Sequence, residues 1–218
     1  MISNGAKFEE VLKSIEENGS FNVKQAFCKF LGHNIGNIEI VKFRAKTTSL
    51  KEFLNWLKNF DKKKTLAIYE EAISGLPGAA ILFISQEDSK FLIDILNKNF
   101  GKNVAFLNSA DYSALKELFN ILSNYYISNF SDVFNIQLLL GIPIMADFSE
   151  LENAILKIFS KNLPARAGKK DCLIAFESIF SILQLRSGLM ASKVEPSIAA
   201  NNQIKINIIF LFNNGPVA

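Results

Sequence analysis

Apolar positions along the chain follow two periods, and the switches between them mark out elements. Phe8, Val11, Leu12 and Ile15 stand at i, i+3, i+4 and i+7, and Val23, Ala26, Phe27, Phe30 and Leu31 continue that stripe. This is the spacing of one helical face. Asn18-Gly19 interrupts it, so the segment is one kinked helix or two short ones. Ile38–Phe43 alternates as a strand, and Ser49–Phe60 returns to the helical period with Leu50, Phe53, Leu54 and Leu57 on one side. Leu66–Ile73 and Ala79–Ile84 read as strands of a hairpin, joined by the turn sequence Gly75-Leu76-Pro77-Gly78. Gln86–Asn97 is amphipathic and predicts another helix.

The pattern then starts again. Tyr112–Phe130 predicts a long helix with Leu115, Leu118, Phe119, Leu122 and Tyr126 as its apolar stripe. Ile136–Met145 reads as a strand, Ser149–Phe159 as a helix, and Cys172–Leu183 and Ile204–Phe212 as strands joined by a polar connection over Arg186–Asn202. Helix, strand, helix, strand, strand thus occurs twice. An offset of 102 lays Asn18 over Asn120, Val41 over Pro143 and Leu54 over Leu156; the strands at Ala67 and Ile174 match at 107. Such self-similarity of element order predicts an α/β (layered α+β) fold. The expectation is one domain over 1–218 built from two units, about 5–100 and 105–212, related by a pseudo-twofold.

Composition narrows the chemistry. Hydrophobic residues make up 49% of 218 and charged residues 21%, with 20 Phe, which excludes a disordered chain. The net charge is +3, and the basic residues are nearly all scattered Lys. The one compact basic run, Lys62-Lys63-Lys64, falls between elements, so no nucleic-acid surface is expected. The N-terminus MISNGAKFEE lacks the pattern of a signal peptide and no apolar run is long enough to span a bilayer; the expected location is cytoplasmic. Cys28 and Cys172 fall in apolar segments and read as buried thiols. A single histidine, His33, excludes HExxH and most His-based metal sites, and no CxxC occurs. His33 sits at a Gly-His-Asn helix end, where capping or exposure is favoured over a lone acid/base role. Gly168-Lys169-Lys170 is not a phosphate-binding loop, and GxSxG and GxGxxG are absent. Chemistry on this chain must use carboxylates, amides and hydroxyls, or take place on a partner.

One polar constellation stands out. On the Tyr112–Phe130 helix, Ser113, Glu117 and Asn120 stand at i, i+4 and i+7, within about 60° of one another, and Asn124 extends the line. Any solvated helix face can show that spacing. Asn is nevertheless a poor residue for a helix interior, because its side chain competes for backbone hydrogen bonds. The run Ser113-x3-Glu117-x2-Asn120-x22-Pro143 resembles the signature of the CheC/CheX/FliY phosphatases of bacterial chemotaxis in residue type and in every spacing. The hairpin GLPGAAILFIS followed by a helix resembles that family as well.

The resemblance implies a phosphatase that hydrolyses the aspartyl phosphate of a CheY-like response regulator. Asn120 would position the attacking water and Glu117 would pair with a lysine of the docked regulator. Ser113 would make a lesser polar contact at the edge, and Pro143 would shape the strand entry. No cofactor is implied on this chain; Mg²⁺ is expected on the regulator. The first half departs from the signature, with Val11, Ile15 and Val41 where its Ser/Asp, Glu and Pro belong, so Asn18 reads as the remnant of a lost site. The same resemblance admits a non-enzymatic module that binds a regulator or a CheD-like protein.

Overall fold

In a computed structural model the described residues are 25, 26, 28, 38–96, 106–160, 173–183 and 203–213. Their strands form one seven-stranded sheet in which every pairing is antiparallel. In chain order the elements are β1 (Ile38–Thr48), α1 (Leu50–Leu57), β2 (Thr65–Ser74), β3 (Gly78–Ser85), α2 (Gln86–Leu96), α3 (Ser109–Phe134), β4 (Leu139–Leu140), β5 (Ile144–Ala146), α4 (Phe148–Ser160), β6 (Leu173–Leu183) and β7 (Gln203–Asn213). The strand order is β1-β6-β7-β3-β2-β4, with β5 also pairing β2. The β2–β3 hairpin turns at Gly75, whose φ of +83° suits glycine. A Cβ there would come within 2.6 Å of the Gln137 carbonyl oxygen.

β3 is buried on both faces because helices cover both sides of the sheet there, and its alternate residues feed two cores. Ala80, Leu82 and Ile84 join Ile68, Ile206, Ile208 and Phe210 beneath Leu118, Phe119, Leu122 and Phe130 of α3; Ala26 and Cys28 belong to the same core. Ala79, Ile81 and Phe83 face the other way, onto Phe53 and Leu57 of α1 and Phe148, Leu151, Ile155 and Phe159 of α4. Phe83 stacks on Phe60 with ring centroids 4.5 Å apart. The sheet thus lies between α3 on one side and α1 with α4 on the other, the mixed α/β layering that the alternating element pattern predicts.

Local capping explains where the helices begin. Ser49 and Glu52 form a capping box at α1. Asp147 and Glu150 do the same at α4: Asp147 Oδ1 accepts from Ser149 N and Glu150 N, both at 2.8 Å, and Asp147 N donates to Glu150 Oε2. Each such cap is worth about 1 kcal/mol. The strand expected over Ile136–Met145 is instead two short pieces, β4 and β5. Between them Gly141-Ile142-Pro143 leaves the ladder, held by the Gly141 N–H on the Glu71 carbonyl at 2.8 Å. Pro143 cannot donate to a ladder, which confines it to this edge. Lys62–Lys64 lies in a tight turn pinned by Asp61, whose carbonyl accepts from Lys64 N at 3.0 Å.

Exchanging β1 with β5, β2 with β6 and β3 with β7 maps the order β1-β6-β7-β3-β2-β5 onto itself read backwards. Strand order alone does not establish duplication of a unit. Apart from residues 25, 26 and 28, the first helical stripe lies outside the described residues, and with it Val11, Ile15, Asn18 and His33. Cys172, Gly168-Lys169-Lys170 and the Arg186–Asn202 connection lie outside them too.

Candidate functional site

The site is built on α3, whose 26 residues start at a strong cap. Asn108 Oδ1 accepts from Ala110 N at 2.8 Å and Asp111 N at 3.2 Å, and Asn108 N donates to Asp111 Oδ2 at 2.9 Å. This capping box with Asp as the reciprocal partner starts the helix a turn before the apolar stripe predicts. At the other end Asn135 takes up the left-handed conformation with φ 51° and closes it. The buried residues Leu115, Leu118, Phe119, Leu122 and Tyr126 fix the rotation of the helix. That rotation leaves Ser113, Glu117 and Asn124 exposed and Asn120 half-buried. From Ser113 to Asn120 the line runs about 10 Å along the axis.

The hydrogen bonds sort these side chains. Ser113 donates its hydroxyl hydrogen to the Ser109 carbonyl at 2.9 Å, so toward solvent it offers only lone pairs. Asn124 Nδ2 donates both to Asn120 Oδ1 at 2.9 Å and to the Asn120 backbone carbonyl at 2.7 Å. Asn124 therefore holds the Asn120 amide from one turn below. One Oδ1 lone pair and the two Nδ2 hydrogens of Asn120 stay available among the described residues. An oriented amide of this kind can accept from a water and donate to a neighbouring oxygen at once. Glu117 supplies an exposed negative charge one turn above.

Pro143 does not join this line. It sits at the sheet edge between β4 and β5, where β4 packs against α3. Around it Ile142 is 84% exposed, Ile73 69%, Ile144 50% and Leu139 48%, an exposed apolar edge. Among the described residues no cluster of three His, Cys, Asp or Glu side chains could hold a metal ion, and no helix is long and apolar enough to cross a membrane.

Sequence reasoning missed two features. The first is Asn124 as the residue that orients Asn120; its place on the polar line was the available signal. The second lies directly beneath. Ser123 of α3 hydrogen bonds through its hydroxyl to the Glu70 carboxyl of β2, and the same Oγ donates to the Asn120 carbonyl at 3.1 Å. Glu70 is fully buried, and its Oε1 has no hydrogen-bond partner among the described residues. Burial raises its pKa from 4.5 to about 7, while the Ser123 hydrogen bond works in the opposite direction. The signal was legible in β2: Leu66, Ile68, Glu70 and Ala72 share the face that packs under α3, so the period of two places an acid inside.

Comparison with known proteins identifies the fold. No family model and no curated protein matches the chain. Solved structures do match over nearly its full length. FliY from Thermotoga maritima shares 14% identity at a TM-score of 0.57, covering 98% of this chain and 93% of that one. The FliM middle domain from H. pylori shares 11% at 0.53, covering 94% and 92%. The match to the FliG–FliM complex from H. pylori has 12% identity at 0.54, covering 96% and 94%. The fold of this chain is the one these FliY and FliM structures share.

Proposed function

From that shared fold and the polar line on α3, we propose that the chain is a phosphatase of bacterial chemotaxis type. Its substrate would be the aspartyl phosphate of a CheY-like response regulator. The observation that carries this reading is the Asn120 amide, held by Asn124 on an accessible helix face in register with Glu117 and Ser113. An acyl phosphate is already reactive, and the charge of its phosphoryl group is met on the regulator, where Mg²⁺ is expected. The hydrolysing partner then has little covalent chemistry to supply. Its task is to hold a water in line with phosphorus.

The open Oδ1 lone pair of Asn120 accepts from that water and points its oxygen at phosphorus, while Nδ2 donates to a nearby oxygen of the phosphoryl group or the regulator. The water oxygen bonds to phosphorus as the phosphorus–aspartyl oxygen bond breaks. The aspartyl carboxylate leaves with the bonding pair, and one water proton passes to solvent. Glu117 pairs with a lysine of the regulator and sets the docked orientation. Ser113 accepts a polar contact at the rim, and Pro143 shapes the edge that flanks it. In this reading the chain is one cytoplasmic domain whose halves, about 5–100 and 105–212, are copies of one unit, with Asn18 the remnant of a second site.

The experiment is phosphate release from a phosphorylated regulator. Asn120→Ala should lower the rate on the order of a hundredfold while regulator binding persists. An unchanged rate would remove Asn120 from the chemistry. A second reading, a non-enzymatic module that binds a regulator or a CheD-like protein, draws on the apolar edge at Ile73, Ile142 and Ile144 and on the fold's occurrence in a FliG–FliM complex. Regulator binding by the wild type without turnover would select it.

A further inference from the structure

We propose that Glu70 is a positioning residue for Asn120: its proton, relayed through Ser123, sets the hydrogen bonding of the helical turn that holds the Asn120 amide. The inference concerns the same site and rests, for its catalytic consequence, on the phosphatase reading.

Hydrogen counting leads to it. Ser123 has one hydroxyl hydrogen, yet its Oγ lies within hydrogen-bond distance of both Glu70 Oε2 and the Asn120 carbonyl. Both bonds form at once when Glu70 is protonated and donates to Ser123 Oγ, leaving the serine hydrogen for the Asn120 carbonyl. That carbonyl also takes Asn124 Nδ2, which in turn holds Asn120 Oδ1. Four consecutive hydrogen bonds thus link the buried acid to the amide oxygen. When Glu70 loses its proton, Ser123 must turn its hydrogen to the carboxylate and the Asn120 carbonyl loses that bond. A buried charge with one oxygen unpartnered among the described residues then stands beneath the turn, and relief of that cost requires water or movement there.

The surroundings leave the proton on Glu70 as the local variable. β3 and residues 139–146, the strands on either side of β2, carry no charged side chain. On β2 itself Glu71 is exposed, on the opposite face. On α3, Lys116 and buried Tyr126 lie on the side of Ser123, Asp111 serves the N-terminal cap, and Glu117, Tyr125 and Asp132 are exposed. Among the described residues, burial and the Ser123 hydrogen bond set the acid's affinity for its proton, with burial the larger, which places the transition near pH 7.

The test uses the full chain and two readouts. In the free protein, the Asn120 side-chain amide resonances should shift between pH 5.5 and 8.5 with a midpoint near 7. The shift should disappear in Glu70→Gln, which keeps a donor for Ser123 without a titration, and in Ser123→Ala. In phosphate release, corrected for the regulator's own decay, wild-type kcat should fall through the same midpoint, with KM steady, while Glu70→Gln stays flat. Resonances that do not titrate, or that titrate equally in Glu70→Gln, overturn the inference. If the resonances titrate as described and no phosphate is released at any pH, the positioning role stands and the phosphatase reading fails.

Discussion

Replacing Glu70 by Gln should change how stability depends on pH, and the structure sets the size of the effect. In the unfolded chain a glutamate releases its proton near 4.5, whereas in the fold burial holds the proton until about pH 7. Below pH 4.5 both states are protonated and burial of the acid carries no charge penalty. Between 4.5 and 7 the unfolded state ionises while the folded state keeps its proton, so the folded state binds more protons and stability falls as pH rises. Above 7 both are ionised and the loss levels off. The displacement corresponds to about 3 kcal/mol, an upper figure because water entering beside the carboxylate would relieve part of it. Glu70→Gln keeps the shape and removes the charge. Urea unfolding of both proteins from pH 4 to pH 8.5 cancels the contribution of every other titrating group in the difference. Relative to wild type, the variant should gain stability progressively between pH 4.5 and 7, by as much as about 3 kcal/mol, and hold that gain above. A constant difference across the range would show that Glu70 is not a buried acid and would remove the basis for its link to Asn120.

Two further outcomes test the exposed face. Glu117→Lys should weaken regulator binding and slow phosphate release through like-charge repulsion, with a change in fold stability of no more than about 0.5 kcal/mol; equal affinity in a titration would refute the docking role. Asn124→Ala removes the donor that holds Asn120 Oδ1 and should cost on the order of tenfold in rate, with thermal unfolding steady or slightly raised because Ala is the better helix former. A rate equal to wild type would show that Asn120 is oriented without it.

The features legible in the chain are those that local geometry dictates. Turning 100° per residue puts Ser113, Glu117, Asn120 and Asn124 on one side of a helix whatever surrounds it, and α3 carries them there. The β2–β3 turn follows from Gly75, the two apolar periods locate α1 to α4 and most of the described strands, and the capping pairs Ser49–Glu52 and Asp147–Glu150 lie three residues apart. What the chain left open depends on neighbours distant in sequence. Ile136–Met145 reads as one strand because its residues are apolar; it divides at Gly141-Ile142-Pro143, where the Gly141 N–H turns to the Glu71 carbonyl of β2 and Pro143 has no N–H for a ladder. The strand order that interleaves the two halves is likewise a matter of packing between segments that no local period encodes. Glu70 shows both sides of the division. The alternation in β2 places it inward, but whether an inward acid is ionised, bridged or simply costly depends on what covers it. Here that cover is Ser123, 53 residues away. The Glu70 carboxyl acquires its raised affinity for a proton because the fold has excluded water from around it, so that property belongs to the tertiary structure.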